Sequence, residues 1–509
     1  MSAPAPSPPR RSPRPLAWVA GALVVLALLA GLVLLLGLGG DGGSSPSAGD
    51  ARGGERALEP GGTAKVTDAE ITDPLDYDAD RQADYERRAA AGFSHPLFAQ
   101  SPGGAPATAQ RTARWRKDIE SAAKDAGVQG DTLEAIVFLE SAGRPDAIAG
   151  GDVAGAAGLT QILSGTGSGL LGMRIDLAAS KALTRRIARA ERRGDAASAA
   201  RLAGERRRVD ERFVPRRALA ATARYLAVAR DELPDREDLL VASYHMGIGN
   251  LQEVLRRYGH SDVPYAQLYF DSSPLRHAGT WRKLASLGDD SASYWFRILA
   301  AREIMRLWRE DPDALRRIAA LQTAKNSSEE LLHPSDDTKE FDTPAELRRA
   351  RNDGDLLRLP VRAPRAGLRA DKGIGELARG LGQSPDLYRA LRPEALSTLG
   401  YLGYTVRRIS GDRRGLVVTS TVRDQTYQRA LIGRNAQATR NFSLHTTGYA
   451  VDIRRSYTSR AQALAFQFVL DRLRALNLLA YVVEPGAIHF TASSEAETLE
   501  GWMDRLGLT

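Results

Sequence analysis

DTLEAIVFLESAGRPDA, residues 131–147, is the stretch on which the fold turns. Leu133, Ile136, Val137 and Glu140 fall at i, i+3, i+4 and i+7, the spacing of one helical face, which predicts a helix with a carboxylate on its apolar stripe. Asp131, three residues before Glu134, reads as a capping box at its start. Upstream, Trp115, Ile119 and Ala122 share one face of a preceding helix. A lone glutamate at a helix end ordinarily projects into water. Here an apolar neighbourhood and the negative end of the helix dipole both disfavour the ionised form, so Glu140 is expected to keep its proton near neutral pH and to serve as a general acid.

A chain of 509 residues exceeds one ordinary core, and domains of roughly 100 to 200 residues predict two folded units with connecting segments. Hydrophobic content of 43% and charged content of 26% suit a chain that folds. Cysteine is absent, which excludes disulfides, thiolate nucleophiles and cysteine metal sites. The formal charge of +8 favours anionic surroundings, whether nucleic acid, lipid headgroups or acidic wall polymers.

Residues 16–38 form an apolar run long enough, at 1.5 Å per residue, to cross a hydrocarbon core of about 30 Å. Arg10, Arg11 and Arg14 precede it and Asp41 and Asp50 follow it. The positive-inside rule then keeps residues 1–15 in the cytoplasm as a short tail and exports the rest. A cleavable signal has an apolar region of only about 7 to 15 residues, so a retained single-pass anchor is expected. Export removes nucleic acid as an expected partner. Residues 39–108, rich in Gly, Ser, Pro, Ala and charge, read as an extracytoplasmic tether.

Three segments around Glu140 carry a resemblance: FLESAGRPDA at 138–147, GAAGLTQIL at 155–163 and SYHMGIGNL at 243–251. In this order they resemble the lysozyme-like lytic transglycosylases over residues 110 to 315, which also take in VDERFVPRRALAATARYLA and SYWFRILAAREIM. The resemblance implies a mainly α, lysozyme-like domain at 109–321. Glu140 would be its sole acid/base, protonating the glycosidic oxygen and then drawing a proton from the muramic-acid 6-hydroxyl, to leave a 1,6-anhydro end. It implies that Ser141, Gln161 and Tyr244 line the cleft, and that this domain needs no cofactor. Two positions depart from the family: His245 replaces the motif Asn, and Thr160 the usual Met. His245 reads as a packed or hydrogen-bonded turn residue.

Within this unit the Arg- and Ala-rich stretch from Leu177 to Asp210 predicts one or two exposed helices. Residues 322–356 are polar without a sustained apolar period and read as a linker. Beyond them, GLVVTSTV, YAVDI, AQALAFQFVLDRLRALN, LLAYVV and IHFTA alternate β-like runs with an amphipathic helix, so an α+β unit is expected over 357–509. The whole chain is thus read as an α+β multidomain protein. His445, Asp452 and His489 stand out, because two imidazoles and a carboxylate suit Zn²⁺ with a fourth position open.

SLHTTGYAVDI at 443–453 and IHF at 488–490 resemble the zinc D-alanyl-D-alanine carboxypeptidases and dipeptidases over residues 390 to 495. The resemblance implies that His445, Asp452 and His489 bind metal, that Arg423 and Ser443 meet substrate, and that stem peptide is recognised here. The family's base lies three residues before the last histidine, which is Gly486 here; Glu484, two residues farther, is the candidate base. The unit is therefore expected either to cleave stem peptides or only to bind them. Together the readings describe a membrane-anchored enzyme that cuts the MurNAc–GlcNAc bond of peptidoglycan. The alternatives are a non-catalytic peptidoglycan-binding scaffold and a lysozyme-type hydrolase that leaves reducing ends.

Overall fold

The computed structural model describes residues 73–324, 327–433 and 442–508. The apolar run 16–38, with its flanking tail and residues 39–72, lies outside the described residues; among those described, no helix is long and apolar enough to cross a membrane. The described chain is largely helical, with one six-stranded sheet in its last third, in keeping with an α+β architecture.

The first lobe is built from α1 (Gln82–Gly92), α2 (Ala105–Ala113), α3 (Arg116–Ala126), α4 (Gly130–Ser141), α5 (Leu177–Arg192), α6 (Ala196–Val209), α7 (Pro215–Glu232), α8 (Glu237–Met246) and α9 (Tyr294–Glu310), together with further helices such as Ile248–Tyr258 and Ala278–Ser286. Helix α4 differs from the one-sided stripe expected of it: every residue from Thr132 to Phe138 is buried, because α3 and α9 pack against it. A helix apolar on most sides belongs inside a core, and only its two ends reach the surface. The capping box is not formed either. Gln129 is the N-cap, without a side-chain hydrogen bond. Asp131 and the buried Glu134 instead meet the guanidinium of Arg116 at 2.6 and 3.0 Å, and Glu134 meets Arg309 at 2.6 Å. Two arginines offer the carboxylates charge-assisted bonds that outcompete a local backbone N–H.

The stretch read as a tether is folded over its described part. Tyr85, Ala89, Leu97, Phe98, Ala105 and Thr108 are all buried. Two of its prolines mark helix starts, Pro96 and Pro106 occupying the first turns of their helices. Proline lacks only an N–H that is unpaired there anyway, so a Pro- and Gly-rich composition concealed a helical segment. The linker reading of 322–356 fails likewise. Phe341, Leu347 and Ala350 are buried in a small cluster under the second lobe, and Glu329 and His333 are buried beside its sheet.

In the second lobe the sheet runs in the order β1–β2–β3–β4–β6–β5, where β1 is Arg362–Ala363, β2 Leu368–Ala370, β3 Leu416–Ser420, β4 Ala450–Arg454, β5 Leu479–Val483 and β6 Ala487–Ala492. Only the β2–β3 pairing is parallel. Helices α10 (Pro393–Ser410) and α11 (Arg460–Ala475) pack on one another and complete the lobe.

The two lobes are not separate domains on a string, because one apolar core runs through both. The Arg472 guanidinium of α11, buried and so drawn below its usual basicity, donates to the carbonyls of Tyr269 and Ser272 in the first lobe. It also lies over the Tyr269 and Phe270 rings at 5.2 Å. At Gly92 a Cβ would stand 2.1 Å from the Arg474 carbonyl oxygen, so only glycine lets α1 approach α11 this closely.

Candidate functional site

Glu140 lies in the last turn of α4, where the helix stops because Ala142 and Gly143 turn left-handed at φ 53° and 73°. Arg111 Nε donates to the Ala142 carbonyl at 3.0 Å and Trp115 Nε1 to that of Gly143 at 2.9 Å, capping the orphan carbonyls. A Cβ on Gly143 would come within 2.6 Å of the Thr112 amide nitrogen, which explains the glycine in the motif.

The Tyr294 hydroxyl, from the start of α9, donates to Glu140 Oε1 at 2.7 Å. Burial pushes the Glu140 carboxyl up to about 7, against the opposing pull of this hydrogen bond and of the Arg297 guanidinium. A carboxyl poised there can give a proton and take one back at neutral pH. Tyr294 in turn stacks on His245, ring centroids 4.9 Å apart, and His245 Nδ1 lies 2.8 Å from Ser291 Oγ. His245 thus braces the tyrosine that holds the glutamate, and burial lowers its basicity.

Of the other first-lobe residues singled out in the sequence, Tyr244 is near Glu140 and feels its charge, while its hydroxyl donates to the Thr160 carbonyl at 2.7 Å. Gln161 adopts φ 50° and donates to the carbonyls of Gly158 and Ala147 at 2.8 and 3.2 Å, so it shapes the loop beside the site. Ser141 does not open on a cleft. It is buried, and its hydroxyl donates back to the Val137 carbonyl one turn earlier at 3.2 Å, a common outcome for a helical serine.

That loop is built around Arg212. The guanidinium is fully buried and all five N–H groups are used: Nε and Nη2 meet Asp210 at 3.0 and 2.7 Å, and the remaining donors reach the carbonyls of Val153, Gly155 and Ile162. A Cβ on Gly158 would lie 1.9 Å from the Arg212 carbonyl oxygen.

In the second lobe His489 and Asp452 are direct cross-strand partners on β6 and β4, a register that brings side chains of adjacent strands together. His489 Nδ1 is 2.8 Å from Asp452 Oδ1, and His445 Nε2 is 3.3 Å from Asp452 Oδ2. One ligand atom from each of the three falls within 4.8 Å of the others, a spacing that can hold a metal ion. Each imidazole is oriented through its other nitrogen. His445 Nδ1 lies 2.8 Å from the Thr421 carbonyl, and His489 Nε2 lies 3.3 Å from Glu329 Oε1. Such outer contacts select the tautomer that turns a lone pair to a metal, so the donor set fits one. Burial, helped by Arg423, lowers His445 to about 4 and keeps it neutral. Burial also pulls on His489, but the Glu329 and Asp452 carboxylates override it and raise it to about 9.

Arg423 Nη2 stands 3.7 Å from Asp452 and donates to Ser420 Oγ at 2.7 Å. Ser443 is buried at the N-cap of the turn that carries His445. Glu484 sits in the tight β5–β6 connection, its N–H bonded to the Ala487 carbonyl at 2.9 Å, and its charge acts on both His489 and Arg423. Glu329 meets the nitrogen of His489 that faces away from Asp452, so it serves to orient the ring. Sequence reasoning missed Tyr294, Arg297 and Glu329. Tyr294 lies inside a quoted motif, but no spacing rule links it to Glu140, 154 residues earlier.

The chain matches no protein-family model and no curated protein, so residue chemistry and geometry alone carry the functional reading.

Proposed function

We propose that this chain is a membrane-anchored, extracytoplasmic enzyme that cleaves the MurNAc–GlcNAc bond of peptidoglycan and leaves 1,6-anhydro-muramic ends. The observation that carries the reading is one carboxyl at the mouth of a buried helix, held near pH 7 and hydrogen-bonded to Tyr294. Protonated Glu140 gives its proton to the departing glycosidic oxygen. The resulting carboxylate then takes the proton of the C6 hydroxyl as that oxygen closes on C1. A hydrolase of the two-carboxylate kind places a second acid about 5 to 9.5 Å away. Internal attack is what the resemblance to the lytic transglycosylases implies, and the products separate it from hydrolysis. Digestion of purified sacculi followed by mass spectrometry tests this: anhydro-muropeptides are expected, whereas hydrated reducing ends would replace the reading by a lysozyme-type hydrolase, and no products by a scaffold.

Tyr294→Phe removes a donor that favours the carboxylate, so Glu140 should hold its proton to higher pH. The alkaline limb of the pH–rate profile is expected to move up by about one pH unit; an unmoved limb removes Tyr294 from the mechanism.

The second lobe we assign to stem peptides, with His445, Asp452 and His489 holding Zn²⁺. The ion would supply Lewis-acid polarisation of the peptide carbonyl. On this reading Arg423 would steady developing negative charge and Glu484 would move a proton, while the tight Pro485–Gly486 turn favours binding without cleavage as the competing reading. Release of D-alanine by the wild type and not by Glu484→Gln separates the two. Glu329→Ala is expected to weaken zinc binding roughly 10- to 100-fold in competition with a chromophoric chelator; unchanged affinity would deny Glu329 its orienting part.

A further inference from the structure

Helices α5 and α6 form a hairpin that packs mainly on itself, around a cluster of Leu183, Ile187, Ala190 and Leu202. Residues 177–209 hold ten basic and three acidic side chains, a net +7 against +8 for the whole chain. The protein's positive charge is therefore concentrated on this one arm. Arg185, Arg189, Arg192, Arg193, Arg207 and Arg208 are exposed and, among the described residues, form no ion pair with an acid. At 100° per residue those of α5 lie on the side away from its buried positions, and Arg207 and Arg208 do the same on α6.

The arm is firmly seated. Asp176 caps α5, and the buried Asp210 accepts from Ser180 Oγ at 2.8 Å while paired with Arg212. Arg212 holds the loop beside Glu140, so the base of the arm and that loop share one anchor.

We propose that the α5–α6 hairpin is a docking arm for a linear polyanion with a phosphodiester repeat, which it holds beside the glycan-cutting cleft. Nine of its ten cations are arginine, whose planar fork binds phosphate oxygens in pairs where lysine offers a point charge. The arm exposes no large apolar side chain that could insert among lipid tails, as a membrane-surface helix would. Six unpaired guanidinium groups on both helices suit a flexible chain that can follow them.

The test uses the full chain in phosphatidylcholine nanodiscs and fluorescent poly(glycerol phosphate) as the probe. Binding is expected to weaken steeply with salt. Arg185→Gln, Arg189→Gln, Arg192→Gln, Arg207→Gln and Arg208→Gln combined should cost tenfold or more in affinity at low salt, with the helical circular-dichroism signal unchanged. A control variant, with Gln at the exposed Arg349, Arg362, Arg379, Arg413 and Arg505, should lose less than threefold. Equal losses in the two variants, or no binding by the wild type, would overturn the proposal. So would arm-dependent capture of phosphatidylglycerol vesicles without polymer binding, which would make the arm a membrane contact.

Discussion

Glu140→Gln is expected to abolish release of anhydro-muropeptides from sacculi, a fall of at least about a thousandfold in rate. One positioned acid or base contributes roughly 10²- to 10⁴-fold, and on the proposed mechanism a single group performs both transfers. Glutamine keeps the shape and still accepts the Tyr294 hydrogen bond, so the loss reports chemistry rather than collapse. The same variant should gain stability in a defined pH window. Glu140 has its carboxyl raised from 4.5 to about 7 on folding. The stability linked to its proton is full below pH 4.5 and lost as pH rises through 7, and glutamine carries no such loss. Above pH 7 the variant should be more stable by up to about 3 kcal/mol, and below 4.5 the difference should vanish. Denaturant titrations at pH 4 and pH 8 check this. A variant that unfolds more easily at pH 8 would mean that Glu140 is not held protonated by burial.

Arg212→Ala should destabilise the protein by about 3 to 5 kcal/mol, the cost of leaving one partner of a buried ion pair uncompensated. Asp210 would keep a buried charge, and the carbonyls of Val153, Gly155 and Ile162 would lose their donor. Arg212→Lys should recover little, because an ammonium cannot reach five acceptors lying in a fixed fork. Equilibrium denaturation measures both variants. A loss below about 1 kcal/mol for Arg212→Ala would show that water enters and replaces the guanidinium. Because the Gln161 loop hangs on this residue, glycan cleavage should fall along with stability.

Glu140 is legible as a candidate acid because helical periodicity is local: four positions within eight residues place it at an apolar helix end. The His445, Asp452 and His489 set was legible through its residue types and a short motif, and the strand register that brings two of them together follows from alternation. Glu329 was not, since it lies in a polar segment with no apolar period and reaches His489 only through the fold of the whole chain. Tyr294 and Arg212 were hidden for the same reason. Composition conceals the folded part of 39–108: Pro96 and Pro106 stand where helices start, and Tyr85, Leu97 and Phe98 supply the anchors that a free tether lacks. The boundary between the lobes was drawn too sharply, because an interlobe contact such as Arg472 on the Tyr269 and Ser272 carbonyls leaves no mark in either segment alone.

That buried arginine has a wider meaning. With α1 and α11 in contact at Gly92 and one core running through both lobes, the span between Glu140 and the His445–Asp452–His489 cluster is set by packing. On the function proposed here the enzyme works as a gauge. A glycan strand seated in the first cleft presents to the second only those stem peptides that hang at one fixed offset, so the pattern of cuts along a strand would be counted by the protein's own rigid geometry.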